Sequence, residues 1–391
     1  MFIIRQAQPG DVDDLHALAK QTFFINLPPD RDIIAHKIEQ SARSFRGVAG
    51  GGAGRKKGAG AGAGGARLRS SSASSHNSGH REVTGRGDLF LFVLENLDAR
   101  GRSGGVVGTS QIIARMGGPG HPRYFMSLDT VANQSRSLGI GWTHLVGRMG
   151  KDETGPTEIG GLILNHAFRG HPERLGRFLS FVRFHFIGLY RKQFADTIIA
   201  EMLGPITRTG YNPFYEKFTR HFVTRAFADV YRFSQTSREF LEALMPKGDV
   251  YLSILDPEVA NAAGEVGDDT RPARKLLERL GFEYHKRIDP LDGGPHLEAK
   301  TDRIALVKAT RRVQAFDGME RVAGRRSRSG AGGAGGGDHG VIASVLDRNG
   351  HFQAVQTIGK VGGQRASLEA GASEALSVGD VFVRGATVVG E

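Results

Sequence analysis

Thr157-Glu158-Ile159-Gly160-Gly161-Leu162-Ile163-Leu164 leads into Arg169-Gly170-His171-Pro172-Glu173-Arg174-Leu175-Gly176. That loop opens a segment in which Phe178, Phe181, Val182, Phe186, Leu189 and Tyr190 recur at helical spacing. The apolar run over residues 158–164 predicts a buried strand, and the aromatic segment predicts a helix with a wide apolar face. A strand that hands over to a helix N-terminus through a Gly/Arg loop is an anion-binding device, because backbone N–H groups and the helix dipole favour negative charge there. Gly170 and Gly176 permit close approach, and Arg169 and Arg174 can neutralise a pyrophosphate. An ordinary exposed loop beside a helix start fits the same residues, so the neighbouring elements decide.

Working outward, Phe2-Ile3-Ile4-Arg5 reads as a short strand. Asp11, after Pro9-Gly10, is placed to cap a helix carrying Val12, Leu15, Leu18 and Ala19. A second helix is expected over residues 32–45. Leu89 to Leu94 and Val106 to Ala114 read as a hairpin. Beyond the aromatic helix, Thr197 to Ala200 is a strand, and Pro213 suits the first turn of a further helix. Pro272 starts a helix that ends at Gly281, and Phe282-Glu283-Tyr284 leaves it as a strand. Asn349-Gly350 marks a hairpin between residues 341–346 and 352–358, and residues 381–389 form one more strand.

The chain has 391 residues, 39% of them hydrophobic, enough for two packed modules. It contains no cysteine, which excludes disulfides, thiolate metal sites and a cysteine nucleophile. Met1-Phe2-Ile3-Ile4-Arg5 lacks the apolar core of a signal peptide. The longest apolar-rich stretch, over residues 177–194, carries Arg183 and His185 in its middle. A cytoplasmic protein that does not span a membrane is expected. The formal charge of +11 sits mostly in two Gly/Ala/Ser-rich segments. Residues 47–87 hold roughly +6 and residues 321–338 roughly +3, leaving about +2 for the remainder. Those segments lack the apolar content to offset ordering entropy and read as disordered. No aromatic platform is interleaved with their charge, so a specific nucleic-acid partner is not expected.

The order of these elements resembles the acetyltransferase-like (GNAT) superfamily. Ile4-Arg5-Gln6-Ala7 enters a helix with Asp11 at its start, and a hairpin, a strand, an Arg/Gly loop and a long helix follow. Five further segments come in an order similar to arginine N-succinyltransferases, including their paired arginine/ornithine subunits. They are Thr157 to Leu164, Ala200-Glu201-Met202-Leu203-Gly204, Gly210-Tyr211-Asn212-Pro213-Phe214, Glu242-Ala243-Leu244-Met245-Pro246-Lys247 and Asp292-Gly293-Gly294-Pro295. The resemblance implies an α+β fold of two duplicated GNAT mixed sheets flanked by helices, with a small β-rich C-terminal tail. The expected units are residues 1–210 with the insert 47–87, a second module over 211–320, a Gly-rich linker over 321–340 and the tail over 341–391. It implies transfer of succinyl from succinyl-CoA to the α-amine of L-arginine, or of ornithine, in arginine catabolism. Succinyl-CoA is then a co-substrate, with no tightly bound cofactor. A homo-oligomer or a pairing with a paralogous subunit is expected.

Roles follow from that chemistry. The α-ammonium must lose a proton before it attacks a thioester, and Glu158 is the candidate base, directly or through water. In the superfamily the strand before the loop splays from its neighbour and pairs with the pantetheine arm. Leu162, Ile163 and Leu164 would do this here and supply N–H donors to the oxyanion, with Leu162 at the family's succinyl-CoA-contacting position. Arg169, Gly170, Arg174 and Gly176 would hold the pyrophosphate. Tyr211 or Tyr215 could protonate the CoA thiolate, and Glu201 and Asp292 are candidates for the guanidinium. His166, His171 and His185 show no metal-ligand spacing, and no metal site is read. The family usually carries a proton-donating histidine in a Gly-x-Val-His segment; here that segment is Gly264-Glu265-Val266-Gly267-Asp268-Asp269. Asp268, Asp269 or Tyr211 would have to replace the histidine. A CoA-dependent enzyme for another amine, a partner subunit without activity of its own, and a basic binding protein are the competing readings.

Overall fold

The structure is a computed structural model that describes residues 1–21, 27–50, 88–98, 100–207, 209–235, 237–319, 339–376 and 381–389. Of the segment 47–87 expected to be disordered, residues 47–49 instead close a helix that starts at Arg31, with Val48 and Ala49 buried; residues 51–87 and the second such segment, 321–338, lie outside the described residues.

The chain begins β1 (Phe2–Gln6), α1 (Val12–Ala19), α2 (Arg31–Ala49), β2 (Leu89–Leu97) and β3 (Ser103–Ile113). A long hairpin, β4 (Arg123–Ser135) and β5 (Ile140–Asp152), precedes β6 (Thr157–Leu164), α3 (Leu175–Leu189) and β7 (Thr197–Glu201). Short elements follow: α4 (Arg220–Val223), α5 (Phe227–Ser234), α6 (Glu239–Leu244), β8 (Val250–Tyr251), α7 (Pro257–Ala262) and α8 (Arg271–Arg279). Next come β9 (Glu283–Ile288), β10 (Pro295–Lys300), α9 (Ala305–Ala309), β11 (Thr310–Val313) and β12 (Ala315–Met319). The last elements are β13 (His339–Asp347), β14 (Phe352–Gly362), β15 (Arg365–Glu369), α10 (Ala370–Ala375) and β16 (Val381–Val389).

Among the described residues, sixteen strands form one mixed sheet, so the fold is α+β. Fourteen lie on the path β11-β16-β13-β14-β1-β2-β3-β6-β7-β10-β9-β4-β5-β8. β14 pairs antiparallel with β1, Ile4 facing Ala354, and β16 pairs with both β11 and β13. The tail strands therefore extend the sheet beyond β1. His185 of α3 fastens them from below, its two ring nitrogens bonded to Thr387 and Ser344 hydroxyls. Burial drives its charged form out, down to about 3. The imidazole is therefore a neutral cross-link.

Alternation along β2 shows how the core is divided. Phe90, Phe92 and Leu94 join the cluster around α3, where Phe186 and Phe45 meet them edge to face or tilted. Leu91 and Val93 point the other way, to Leu15 and Leu18 of α1 and to Ile34 and Ile38 of α2. A third cluster, with Tyr124, Met126, Phe214, Tyr215 and Phe218, underlies the second half. Asp11 departs from its expected role. Its carboxylate takes the Arg5 guanidinium and the Gln8 N–H, and makes no cap bond to α1. Arg5 outcompetes the helix because a charged donor makes the stronger bond.

Candidate active site

β6 and β7 run parallel but pair only at Thr157–Ile198 and Glu158–Ile199. Beyond Glu158 the two strands leave the ladder. On its other edge β6 is bulged against β3: Thr109 faces Ile163 and Gln111 faces Gly160, so the register slips between them. Gly161 takes φ +58° within this slip, a conformation that favours glycine. A wedge therefore opens along residues 160–164, lined on one side by backbone.

At the end of β6, Asn165 caps the turn His166–Phe168 through the Ala167 N–H. Gly170 lies at φ +75°, and a Cβ there would meet nothing within 4 Å. The turn, not packing, requires that glycine. A Cβ on Gly176 would come no closer than 3.8 Å to Leu164, so packing does not demand glycine there either. Arg174 adopts φ +51° and its carbonyl takes the N–H groups of Arg177 and Phe178, starting α3. Burial and then the neighbouring charges of Arg174 and Arg279 lower the Arg177 guanidinium. Three cations thus gather at the α3 N-terminus, beside a pocket of about 260 Å³ that Arg174, Arg177, Gly340 and Gln356 help to line. That concentration suits a polyanion.

Glu158 is 1% exposed, so it is no solvated strand end. Its neighbour Ile159 enters the α3 core, so Glu158 points to the opposite face, toward α1 and the first half of α2. The other candidates lie elsewhere. Tyr211 donates its hydroxyl to Glu258 at 3.0 Å, and Tyr215, fully buried, donates to the Arg225 carbonyl. Gly267 sits against Gly204 and Pro205, just beyond β7; a Cβ there would lie 3.7–3.8 Å from its neighbours. Asp269 reaches back to the loop and bonds Arg169 at 3.3 Å, while Asp268 pairs with Arg271.

Glu201 and Asp292 belong to a buried charge network. Glu201 lies 3.5 Å from Arg123 and 3.4 Å from Arg238. Burial alone would raise its carboxyl, but Arg238, His296 and Arg123 together hold it at about 2. Asp292 accepts from Tyr231 and from the Gly294 N–H, and burial together with Asp289 raises it. Both carboxylates are thus engaged with the protein's own donors, and a substrate guanidinium would have to displace them. Glu201, Asp289 and His296 are close enough together to ligate a metal. Arg123 and Arg238 already meet that charge, and a divalent cation would be repelled by them.

Sequence reasoning missed Arg123, Arg238 and Lys37. Lys37 had a signal: it falls at helical spacing from Ile34, Ser41 and Ser44, all buried.

The family described as Arginine N-succinyltransferase beta subunit matches residues 64–306. Arginine N-succinyltransferases of Enterobacter sp. (strain 638) and Citrobacter koseri are each 29% identical over 322 residues, spanning 82% of both chains. The arginine/ornithine succinyltransferase subunit AI from Pseudomonas aeruginosa shares the fold, with TM-score 0.72 and 22% identity over 100% of this chain and 99% of that one. With the family match covering more than half of its length, this chain belongs to the arginine N-succinyltransferase beta subunit family.

Proposed function

We propose that the protein is an acyl-CoA-dependent N-acyltransferase that moves succinyl from succinyl-CoA to the α-amine of L-arginine. The observation that carries this reading is the wedge where β6 leaves β7 directly after Glu158, above the cationic start of α3. The pantetheine arm pairs with the free edge of residues 160–164, and the pyrophosphate lies over residues 169–176 against Arg169 and Arg174. Glu158 accepts a proton from the α-ammonium, and the freed amine attacks the thioester carbonyl. N–H groups of the Leu162–Leu164 stretch stabilise the oxyanion; the attached nitrogen then gives its second proton to solvent, and the intermediate collapses to the amide and the CoA thiolate. Gly267 offers no side chain to protonate the thiolate. A thiolate is already a fair leaving group near neutral pH, so the reaction proceeds without that donor. Glu201 braces the site through its ion pairs with Arg123 and Arg238, and Asp292 through its bonds from Tyr231 and the Gly294 N–H. The active form is an oligomer, of identical chains or with a paralogous subunit.

Among the described residues no helix is long and apolar enough to cross a membrane. The test is thiol release from succinyl-CoA or acetyl-CoA with arginine or ornithine as acceptor. Turnover with succinyl-CoA and arginine, weaker with acetyl-CoA, is expected. Absence of turnover in every combination overturns the enzymatic reading of the chain alone.

A further inference from the structure

Lys37 and Gln111 are out of place for a sheet protein's interior. Lys37 is 5% exposed and its Nζ makes no hydrogen bond. Gln111 is 1% exposed, and neither its Oε1 nor its Nε2 has a partner. Buried polar groups are ordinarily bonded, and a buried ammonium that makes no hydrogen bond is costly. Burial draws the Lys37 ammonium down to about 8, with the charge of Glu158 pulling the other way.

The ladder puts these groups on one face. Ile113 faces Glu158 across β3 and β6, so their side chains share a side. Gln111, two residues before Ile113, shares it too. Its neighbour Ile112 enters the α3 core, which confirms the direction. Gln111 also lies over the bulge: a Cβ on Gly161 would come within 3.0 Å of its side chain. Lys37 stands on α2 between Ile34 and Ile38, whose cluster covers this same face. One cation and one carboxamide, both lacking bonds, thus flank the candidate base at the mouth of the wedge.

We infer that Lys37 and the Gln111 Nε2 form a carboxylate-binding pocket beside Glu158. The inference rests on the functional reading above and deepens it. Two carboxylates enter that reaction, the α-carboxylate of arginine and the distal carboxylate of the succinyl group. The first is the expected occupant, because it hangs on the carbon that bears the nucleophilic nitrogen. A zwitterion would bring its cation to Glu158 and its anion to Lys37, adding no net charge to a buried site.

The experiment measures kcat/KM for four substrate pairs in wild type, Lys37→Met and Gln111→Met. Arginine is compared with agmatine, which lacks only the α-carboxylate. Succinyl-CoA is compared with butyryl-CoA, which lacks the distal one. Loss of a charge-assisted bond should shrink the wild-type preference for arginine over agmatine by on the order of tenfold to a hundredfold in Lys37→Met. A smaller shrinkage is expected in Gln111→Met, which leaves every charge in place and serves if Lys37→Met does not fold. Collapse of the succinyl preference instead assigns the pocket to the acyl carboxylate. Equal losses across all four pairs, or unchanged preferences in both variants, overturn the pocket while wild-type turnover upholds the function. A wild type that cannot succinylate arginine strikes the functional reading and removes this inference with it.

Discussion

Removing Arg123 should cost this protein much of its stability, and the cost should depend on pH. Its guanidinium is fully buried and meets His296 Nδ1 at 3.0 Å, Asp152 at 3.1 Å, Glu201 at 3.5 Å and Glu298 at 3.8 Å. Burial holds His296 neutral, far below its ordinary range, so Arg123 donates and Nδ1 accepts. Arg123→Met keeps the stem and deletes the charge. Breaking a buried ion pair from one side costs about 3–5 kcal/mol, because the remaining carboxylates stay buried. Glu201 sets the sign of the pH term. Its folded pKa is depressed, from 4.5 to about 2, so its contribution is fully present above pH 4.5 and lost as pH falls through 2. Without Arg123 the folded pKa rises, and protonation relieves the uncompensated charge. The deficit should therefore be largest near pH 7.5 and shrink by roughly 1–2 kcal/mol at pH 5.5. Glu201→Gln added to Arg123→Met should lose at least about 1 kcal/mol less than the two single changes together. Urea unfolding at both pH values measures this. A loss below about 1 kcal/mol, equal at both pH values, would refute the reasoning.

Four other outcomes follow from the geometry. Gly294→Ala should abolish folding or cost more than about 3 kcal/mol, since its Cβ would fall 1.9 Å from the Met202 carbonyl oxygen and 2.6 Å from the Gly204 nitrogen. Gly170→Ala, which has open space and only an unfavourable φ, should cost about 1–2 kcal/mol in the same melt. Arg174→Glu should raise the KM for succinyl-CoA at least tenfold and leave that for arginine nearly unchanged; equal effects on both would remove the loop from the pyrophosphate. Gly267→His has room for its Cβ, so the variant should fold as wild type does. If a thiolate donor is limiting, its kcat rises by roughly tenfold or more; an unchanged kcat shows that it is not.

The strand-loop-helix from Thr157 to Leu189 was legible because its signals are local: an apolar run, a Gly/Arg loop and a 3.6-residue period. The Asn349-Gly350 turn and the Arg271–Arg279 helix were legible for the same reason. The β4–β5 hairpin was not. From Asp129 to His144 most of its residues are exposed, Trp142 at 69%, so neither face carries a hydrophobic alternation. The tail's place beside β1 was also hidden, since a pairing of distant residues leaves no periodic trace. The buried charges were the hardest: Arg123 has sequence surroundings like those of a solvated residue, Lys37 is marked only by its helical spacing from Ile34 and Ser41, and the assembled sheet shows what encloses them.

The position of β1 between β2 and β14 bears on how the chain is made. Gln6 accepts from the Phe352 N–H across 346 residues. β1 therefore waits with one edge unpaired while the residues up to β14 are made, on the order of tens of seconds at ordinary translation rates. An unpaired edge is a template for mispairing with a neighbouring nascent chain. The β13–β14 hairpin shortens the exposure by arriving as a ready pair around a tight turn. Slowing translation lengthens the interval in which β1 can go astray, and should therefore lower the yield of soluble protein.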